Sequence, residues 1–176
     1  MRRLRSLTAL ALLAAGTAVA LPSPAQAAPL DMTCTPPSSN VSTYSPALTS
    51  TPQTVTSTIT ALWGPCTSAS QPAITSGYRS ATVPFTGSCL ELLQPATLTT
   101  TITWNTGQTS TVTTNYLGAI AGAVFTVTST GTVTGGLFAG DSVVINLTGP
   151  SADIALCTAG LGTVSSIYML GTLVIS

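Results

Sequence analysis

Ionisable side chains that carry out catalysis are scarce in this 176-residue chain. It contains no His and no Lys. Its charged residues are four basic and four acidic side chains: Arg2, Arg3, Arg5, Arg79, Asp31, Glu91, Asp141 and Asp153. The commonest general base is therefore missing, and neither a Ser-His-Asp, a Cys-His nor a Ser-Lys arrangement can form. We predict that the protein is not an enzyme.

Paired carboxylates are the one catalytic arrangement that this composition leaves open. Glu91 and Asp153 lie close in sequence to Cys89 and Cys157, so a disulfide between those cysteines would bring the two acids near each other. We nevertheless expect the acids to serve as turn and cap residues. We expect one acid to pair with Arg79, and we expect no catalytic site.

Metal ligands are equally sparse. No two cysteines have the C-x2-C spacing of a zinc site, and there is no His. Asp31 lies in an N-terminal arm, and Asp141 lies in a predicted turn that lacks the D-x-D-x-D-G pattern of a calcium loop. We expect no metal site and no cofactor.

The N-terminus has the three-part pattern of a secretory signal. Three arginines are followed by an apolar run over residues 7–21 and by the small-x-small sequence Ala25-Gln26-Ala27. The apolar run of about 15 residues is short for a membrane-spanning helix, which needs about 20. We predict a signal peptide over residues 1–27 and one domain over residues 28–176. The mature protein is expected to be secreted and extracellular, with no integral membrane span.

Cleavage of the signal would also change the charge. Three of the four arginines lie in the signal. Arg79 alone would remain against four acids, which gives a net charge of 1 − 4 = −3. Because phosphate binding requires several cationic contacts, nucleic acid is excluded as a partner.

The four cysteines, Cys34, Cys66, Cys89 and Cys157, all follow the predicted signal. An even number of cysteines in an exported protein predicts disulfides, and four allow three pairings. The first predicted hairpin turns near residues 50–51, so opposed residues have an index sum of about 100. Cys34 and Cys66 meet this condition. We therefore favour Cys34–Cys66 and, by elimination, Cys89–Cys157.

The mature sequence alternates between Thr and apolar residues, as half-buried strands do. In one segment Val55, Ile59 and Trp63 share a face, and Thr residues occupy the other. Eight strands are predicted, over residues 41–49, 53–63, 78–87, 96–104, 108–116, 120–134, 142–147 and 165–175. The expected fold is all-β, either an antiparallel sandwich or a closed barrel of about eight strands, with two disulfides.

Local features add three expectations. Pro46 favours an edge position for the first strand. Residues 89–93 are compatible with a helical turn or a strand end, and residues 151–157 with an irregular segment that holds one helical turn. Trp63 and Trp104 lie on apolar strand faces, so we expect them in the core and not on a sugar-binding surface.

Several segments resemble the small, uncharacterised secreted all-β proteins of actinobacteria, which are Thr- and Gly-rich with four cysteines. The matching segments are Thr43-Tyr44-Ser45-Pro46-Ala47-Leu48, Trp63-Gly64-Pro65-Cys66, Gly87-Ser88-Cys89-Leu90, Thr101-Ile102-Thr103-Trp104-Asn105-Thr106-Gly107-Gln108, Phe138-Ala139-Gly140-Asp141 and Leu147-Thr148-Gly149-Pro150. They are turns, cysteine positions and strand starts. The resemblance therefore implies a fold, and it implies no reaction or ligand.

The sequence favours a non-enzymatic extracellular or envelope-associated domain that acts by surface contact or self-association, because a hydroxyl-rich surface with few charges has little electrostatic repulsion. The alternative is a carrier of a small apolar ligand. Small residues that would leave space for such a ligand are Gly118, Ala119, Ala121, Gly122 and Ala123. A membrane pore is disfavoured, because the outward strand faces are mostly Thr.

Overall fold

The chain forms a closed, eight-stranded antiparallel β-barrel with two additional short strands. The computed structural model describes residues 31–176, so the predicted signal peptide lies outside the described residues. The strands of this part are β1 (Met32–Cys34), β2 (Ser39–Leu48), β3 (Gln53–Trp63), β4 (Cys66–Thr67), β5 (Gly77–Gly87), β6 (Ala96–Trp104), β7 (Thr109–Ala121), β8 (Val124–Gly136), β9 (Ser142–Pro150) and β10 (Val164–Ile175). A 3-10 helix spans Cys89–Leu93, and helix α1 spans Ala152–Thr158. The predicted all-β fold is confirmed, in its barrel form.

The barrel closes between β10 and β2. Its strand order is β2-β3-β5-β6-β7-β8-β9-β10, and β10 pairs back onto β2 with Tyr168 opposite Val41. All of these pairs are antiparallel. The short strand β1 lies outside this ring, between β10 and β4. Closure gives most strands a partner on both sides, which limits the exposed backbone edge.

The alternation predicted for β3 places Val55, Ala61 and Trp63 inside the barrel and its Thr residues outside. Thr hydroxyl groups contact each other across neighbouring strands on the outer surface. The Oγ1 atoms of Thr99 and Thr113 are 3.0 Å apart, for example. Much of the outer face is therefore covered by hydroxyl groups, over a mostly apolar interior.

The bounds of β3 and β6 agree with the sequence prediction, and several other ends differ. The predicted sixth strand begins too early, because β7 continues to Ala121 and Gly122 makes the turn with a φ of 60°. The edge position expected from Pro46 is wrong, since β2 lies between β3 and β10. Its ladder with β3 ends at Ser45, and its ladder with β10 shifts register between Thr43 and Leu48. Pro46 lies at this interruption, where no ladder hydrogen bond requires a backbone N–H from it.

Both favoured disulfides are confirmed. Cys34–Cys66 joins β1 to β4, where the two residues are directly opposed. The β2–β3 hairpin opposes Ser39 to Leu62. Cys34 lies five positions before Ser39, and Cys66 lies four positions after Leu62. The pairing of β1 with β4 is therefore shifted by one residue relative to the pairing of β2 with β3. Cys89–Cys157 joins the 3-10 helix to α1.

One end of the barrel is filled by Trp104. Its indole Nε1 donates to Ser110 Oγ at 2.8 Å, and Ser110 Oγ donates to the Leu137 carbonyl at 2.7 Å. The Phe138 ring packs edge-on against the indole with a centroid distance of 6.0 Å. The expected core position of Trp104 is confirmed, and this end of the interior is solid. No helix in residues 31–176 has both the length and the apolarity to cross a bilayer.

Candidate ligand-binding cavity

The rest of the barrel interior holds a cavity of about 460 Å³. Most of its wall is apolar, and representative lining side chains are Ile59, Phe85, Leu98, Val127, Leu147 and Met169. Small-molecule sites in proteins are concave, largely apolar and about 300–1,000 Å³ in volume. An eight-stranded barrel has room either for a filled core or for one small ligand. This barrel combines the two: the end that contains Trp104 is filled, and the remainder of the interior holds the cavity.

A lateral opening leads into the cavity between β5 and β6. Within these two fully described strands only Gly77–Trp104 and Tyr78–Thr103 are paired. On their other sides, β5 pairs with β3 through Gly87 and β6 pairs with β7 from Ala96 onward. The two strands therefore diverge from one closed point. We call this V-shaped opening, bordered by residues 79–87 and 96–102, the seam.

Exposed apolar side chains lie on both of the strand edges that border the seam. Val83 of β5 and Leu98 of β6 both line the cavity. They belong to the inward-facing sets of their strands, yet they are 49% and 38% exposed. Inward-facing apolar side chains become exposed where the neighbouring strand is missing. A ligand entering through the seam would pass between these two side chains.

The 3-10 helix lies beside the wide end of the seam and contributes Glu91 and Leu92 to the cavity wall. A capping box starts it: Ser88 N donates to Glu91 Oε2 at 2.6 Å, and Leu90 N donates to Ser88 Oγ at 3.2 Å. The Ser88 hydroxyl group and backbone N–H bond the carboxylate and lower the pKa of Glu91. Glu91 is therefore the cap residue expected from the sequence.

Two tyrosines face the cavity near this helix. Burial raises the pKa of both Tyr44 and Tyr116, and the proximity of Tyr44 raises that of Tyr116 further. The Tyr116 hydroxyl group donates to the Leu92 carbonyl at 2.7 Å. Both side chains therefore stay neutral at physiological pH and present aromatic surface to the cavity.

Polar side chains concentrate at the closed point of the seam. Arg79 faces the cavity directly after the last paired residue of β5. Ala61 lies opposite Arg79, and Asn40 lies opposite Ala61 on the next strand. Because Ala61 is small, the side chains of Arg79 and Asn40 border a common space. Trp63 lies two residues beyond Ala61 on the same inner face.

The buried polar atoms at this point are incompletely paired. Within residues 31–176, Trp63 Nε1 and Arg79 Nε are buried without a hydrogen-bond partner. The expected core position of Trp63 is confirmed, since the side chain is 3% exposed, although its indole N–H has no acceptor. Unpaired buried donors are uncommon in proteins and costly. Nothing in the sequence indicated that these two donors would lack hydrogen-bond acceptors.

Glu91 and Asp153, the two acids considered as a pair from the sequence, lie in different surroundings. Glu91 is held by Ser88, and Asp153 is exposed in the first turn of α1. Asp141 approaches Asp31 instead, and partial burial and then this neighbour raise the pKa of Asp141. Pairing of β1 and β9 with opposite sides of β10 brings these two acids together. In the described part of the chain no carboxylate forms a salt bridge with Arg79, so the ion pair expected there is not formed.

The small residues considered as space for a ligand do not line the cavity. Gly118 lies so close to the Leu92 carbonyl that a Cβ atom would collide with it, and Ala119 and Ala121 are exposed on the outer face. Close packing explains Gly118. Across residues 31–176, no three His, Cys, Asp or Glu side chains converge as metal ligands would.

No protein-family model, curated protein sequence or solved structure matches this chain.

Proposed function

We propose that this protein is a secreted, non-enzymatic carrier of a small and largely apolar molecule, which it holds inside the barrel. The observation that carries this proposal is the apolar cavity of about 460 Å³ with a lateral opening. The four cysteines are all disulfide-bonded, as expected of a protein that works in an oxidising compartment.

Two physical arguments support a bound apolar molecule. Apolar cavities are poor sites for water, because water needs two to four polar partners, and they bind apolar molecules instead. The seam supplies access without unfolding, since residues 79–87 and 96–102 lack partners across it. Entry therefore breaks no ladder hydrogen bonds between β5 and β6.

A matched pair of variants tests this proposal with the neutral fluorescent probe N-phenyl-1-naphthylamine. Ala81→Trp places a large side chain in the cavity, and Ser80→Trp places the same side chain on the outer face one residue away. We expect an increase in probe fluorescence with the wild-type protein and with Ser80→Trp, and its loss with Ala81→Trp. Equal binding by all three proteins, or by none, would overturn the proposal.

Native mass spectrometry of protein from its own culture medium provides a second test. A carrier should retain a non-covalent mass that disappears on denaturation. The Ala81→Trp variant should lack that mass, and Ser80→Trp should keep it.

Surface contact remains a second candidate, because one outer region is apolar. Val124, Tyr168 and Leu170 are exposed around an open depression of about 360 Å³ that also includes Pro150. Such a patch supports self-association or envelope contact. Sedimentation velocity over a range of concentrations tests self-association: Tyr168→Ser with Leu170→Ser should reduce any dimer fraction. A monomeric wild-type protein at all concentrations would remove self-association from consideration.

A further inference from the structure

Arg79 is the single basic residue of residues 31–176, and it is placed where a charge is costly. Arg79 lines the cavity, its Nε atom is buried, and within the described chain no acid pairs with it. Desolvation lowers the pKa of Arg79, but an arginine remains protonated in proteins. An unpaired charge in an apolar interior is unfavourable until an anion neutralises it.

Further hydrogen-bond donors lie close to Arg79 in the strand register. Trp63 Nε1 is a donor only, and it is buried without an acceptor. The Asn40 amide, which is 6% exposed, adds N–H donors to the same row. Asn40 Oδ1 already accepts from Ser42 Oγ at 3.3 Å. This end of the cavity therefore offers donors and a positive charge, and its unmet requirement is an acceptor with negative charge.

The remainder of the cavity has a different character. From Arg79 the inward-facing positions of β5 continue through Ala81 and Val83 to Phe85. At 3.3 Å per residue this path is about 20 Å long. It is apolar and borders the seam along its length. The cavity thus has one polar end and one long apolar side.

We propose that the carried molecule is an elongated amphiphile with an anionic, oxygen-bearing head group, such as a carboxylate. The head group accepts hydrogen bonds from Arg79 and Trp63 at the closed point of the seam, and the apolar tail extends toward Phe85 and the 3-10 helix. This inference depends on the proposed carrier function, and it names the chemical class of the ligand and the residues that recognise it.

Three ligands with ten carbon atoms each test the contribution of the head group separately from that of the tail. Binding of decanoate, decanol and decylamine to the delipidated protein is measured by displacement of N-phenyl-1-naphthylamine. We expect decanoate to bind roughly tenfold or more tightly than decanol, since a hydrogen bond to a charged group is among the stronger polar contacts. Decylamine should bind most weakly, because its charge has the same sign as that of Arg79.

Three variants assign the head-group site. Arg79→Met removes the charge at similar length and should abolish the preference for decanoate over decanol while decanol binding is retained. Arg79→Lys keeps the charge without the planar fork, so it should retain part of the preference. Trp63→Phe removes the indole N–H and should weaken decanoate binding by a few fold, with no effect on decanol. Thermal unfolding of each variant checks that it is folded.

The outcomes distinguish this inference from the function on which it depends. If decanol and the neutral probe bind to the cavity as tightly as decanoate, or if Arg79→Met keeps the preference for decanoate, the anionic ligand is refuted and the carrier function stands. If none of the probes binds, both are refuted. Tryptophan emission gives an independent readout in the Trp104→Phe background, where Trp63 is the one remaining tryptophan: decanoate should shift its emission, and the shift should be lost with Arg79→Met.

Discussion

The Tyr116 hydroxyl group donates a 2.7 Å hydrogen bond to the carbonyl oxygen of Leu92. This bond links β7, in the barrel wall, to the 3-10 helix beside the wide end of the seam. Gly118 lies two residues farther along β7 and lets the helix backbone approach closely. Besides the Cys89–Cys157 disulfide, the position of the helix therefore depends on one hydroxyl group and one missing side chain.

Tyr116→Phe should lower the free energy of unfolding by about 1–2 kcal/mol, because it leaves the partly buried Leu92 carbonyl without its donor. Chemical denaturation followed by circular dichroism measures the change. Tyr168→Phe is the matched control, since Tyr168 is 54% exposed on β10, and it should be neutral. An unchanged stability in Tyr116→Phe would mean that water replaces the bond at no cost.

The two disulfides should differ in their effect on ligand exchange. Their sequence separations are 32 and 68 residues, and the loop-entropy model assigns each about 4 kcal/mol. Replacing Cys89 and Cys157 by Ala should in addition speed probe release, because that bridge tethers the 3-10 helix. Replacing Cys34 and Cys66 should reduce stability without changing the release rate. Stopped-flow displacement measures both, and equal release rates would contradict the assigned role of the helix.

Arg79→Met should stabilise the empty protein by about 1 kcal/mol, because it removes a partly buried charge that has no counter-ion. Ser80→Met, on the outer face, is the control and should be neutral. Saturating decanoate should reverse the order, since a ligand stabilises only the form that binds it. Thermal unfolding of delipidated proteins with and without decanoate measures this effect. A less stable Arg79→Met would indicate that the guanidinium stabilises the barrel wall.

Asp141→Asn should stabilise the protein at neutral pH. Partial burial and then Asp31 raise the pKa of Asp141 above its ordinary value of 3.8. The folded protein thus binds this proton more tightly, so the stability contributed by the group is present below 3.8 and is lost as the pH rises through the raised value. Asp141→Asn removes that loss. Because the carboxyl lies near solvent, which screens its interaction with Asp31, we expect a gain of no more than about 1 kcal/mol at pH 7 and none at pH 3.

Asp153→Asn is the control for this pH dependence. Asp153 lies in the first turn of α1, where a carboxylate interacts favourably with the helix dipole. Its replacement should therefore give a slight loss at pH 7. Denaturation curves at the two pH values compare the variants, and a loss of stability in Asp141→Asn at pH 7 would refute the expected repulsion between the two acids.

Much of the barrel could be predicted from local pattern. The Thr alternation in β3 and β6 determines which side chains face inward, and Gly or Pro residues mark most strand ends. Strands β1 and β4 have two or three residues each, too few for a periodic signal. The sequence did not distinguish a sandwich from a barrel. Barrel closure depends on the pairing of β10 with β2, and strand periodicity does not encode which strands pair.

The candidate site was harder to predict for a related reason. β5 and β6 have the same alternation as fully paired strands, so nothing local indicates that they diverge. One signal was present in the sequence. Arg79 lies an even number of positions before Ala81 and Phe85 in the same strand, so the one basic side chain of the domain shares their inward face. The missing counter-ion could be recognised only after the strands were assembled.

The outer position of β1 has a consequence for when the protein folds. Met32 is paired with Ile175, so the first described strand has no complete partner until the last one exists. Contacts between distant segments form slowly, because the intervening chain must be ordered first. Final assembly therefore requires the whole segment from Met32 to Ile175, and a nascent chain that still lacks β10 can neither close the barrel nor complete the pairing of β1.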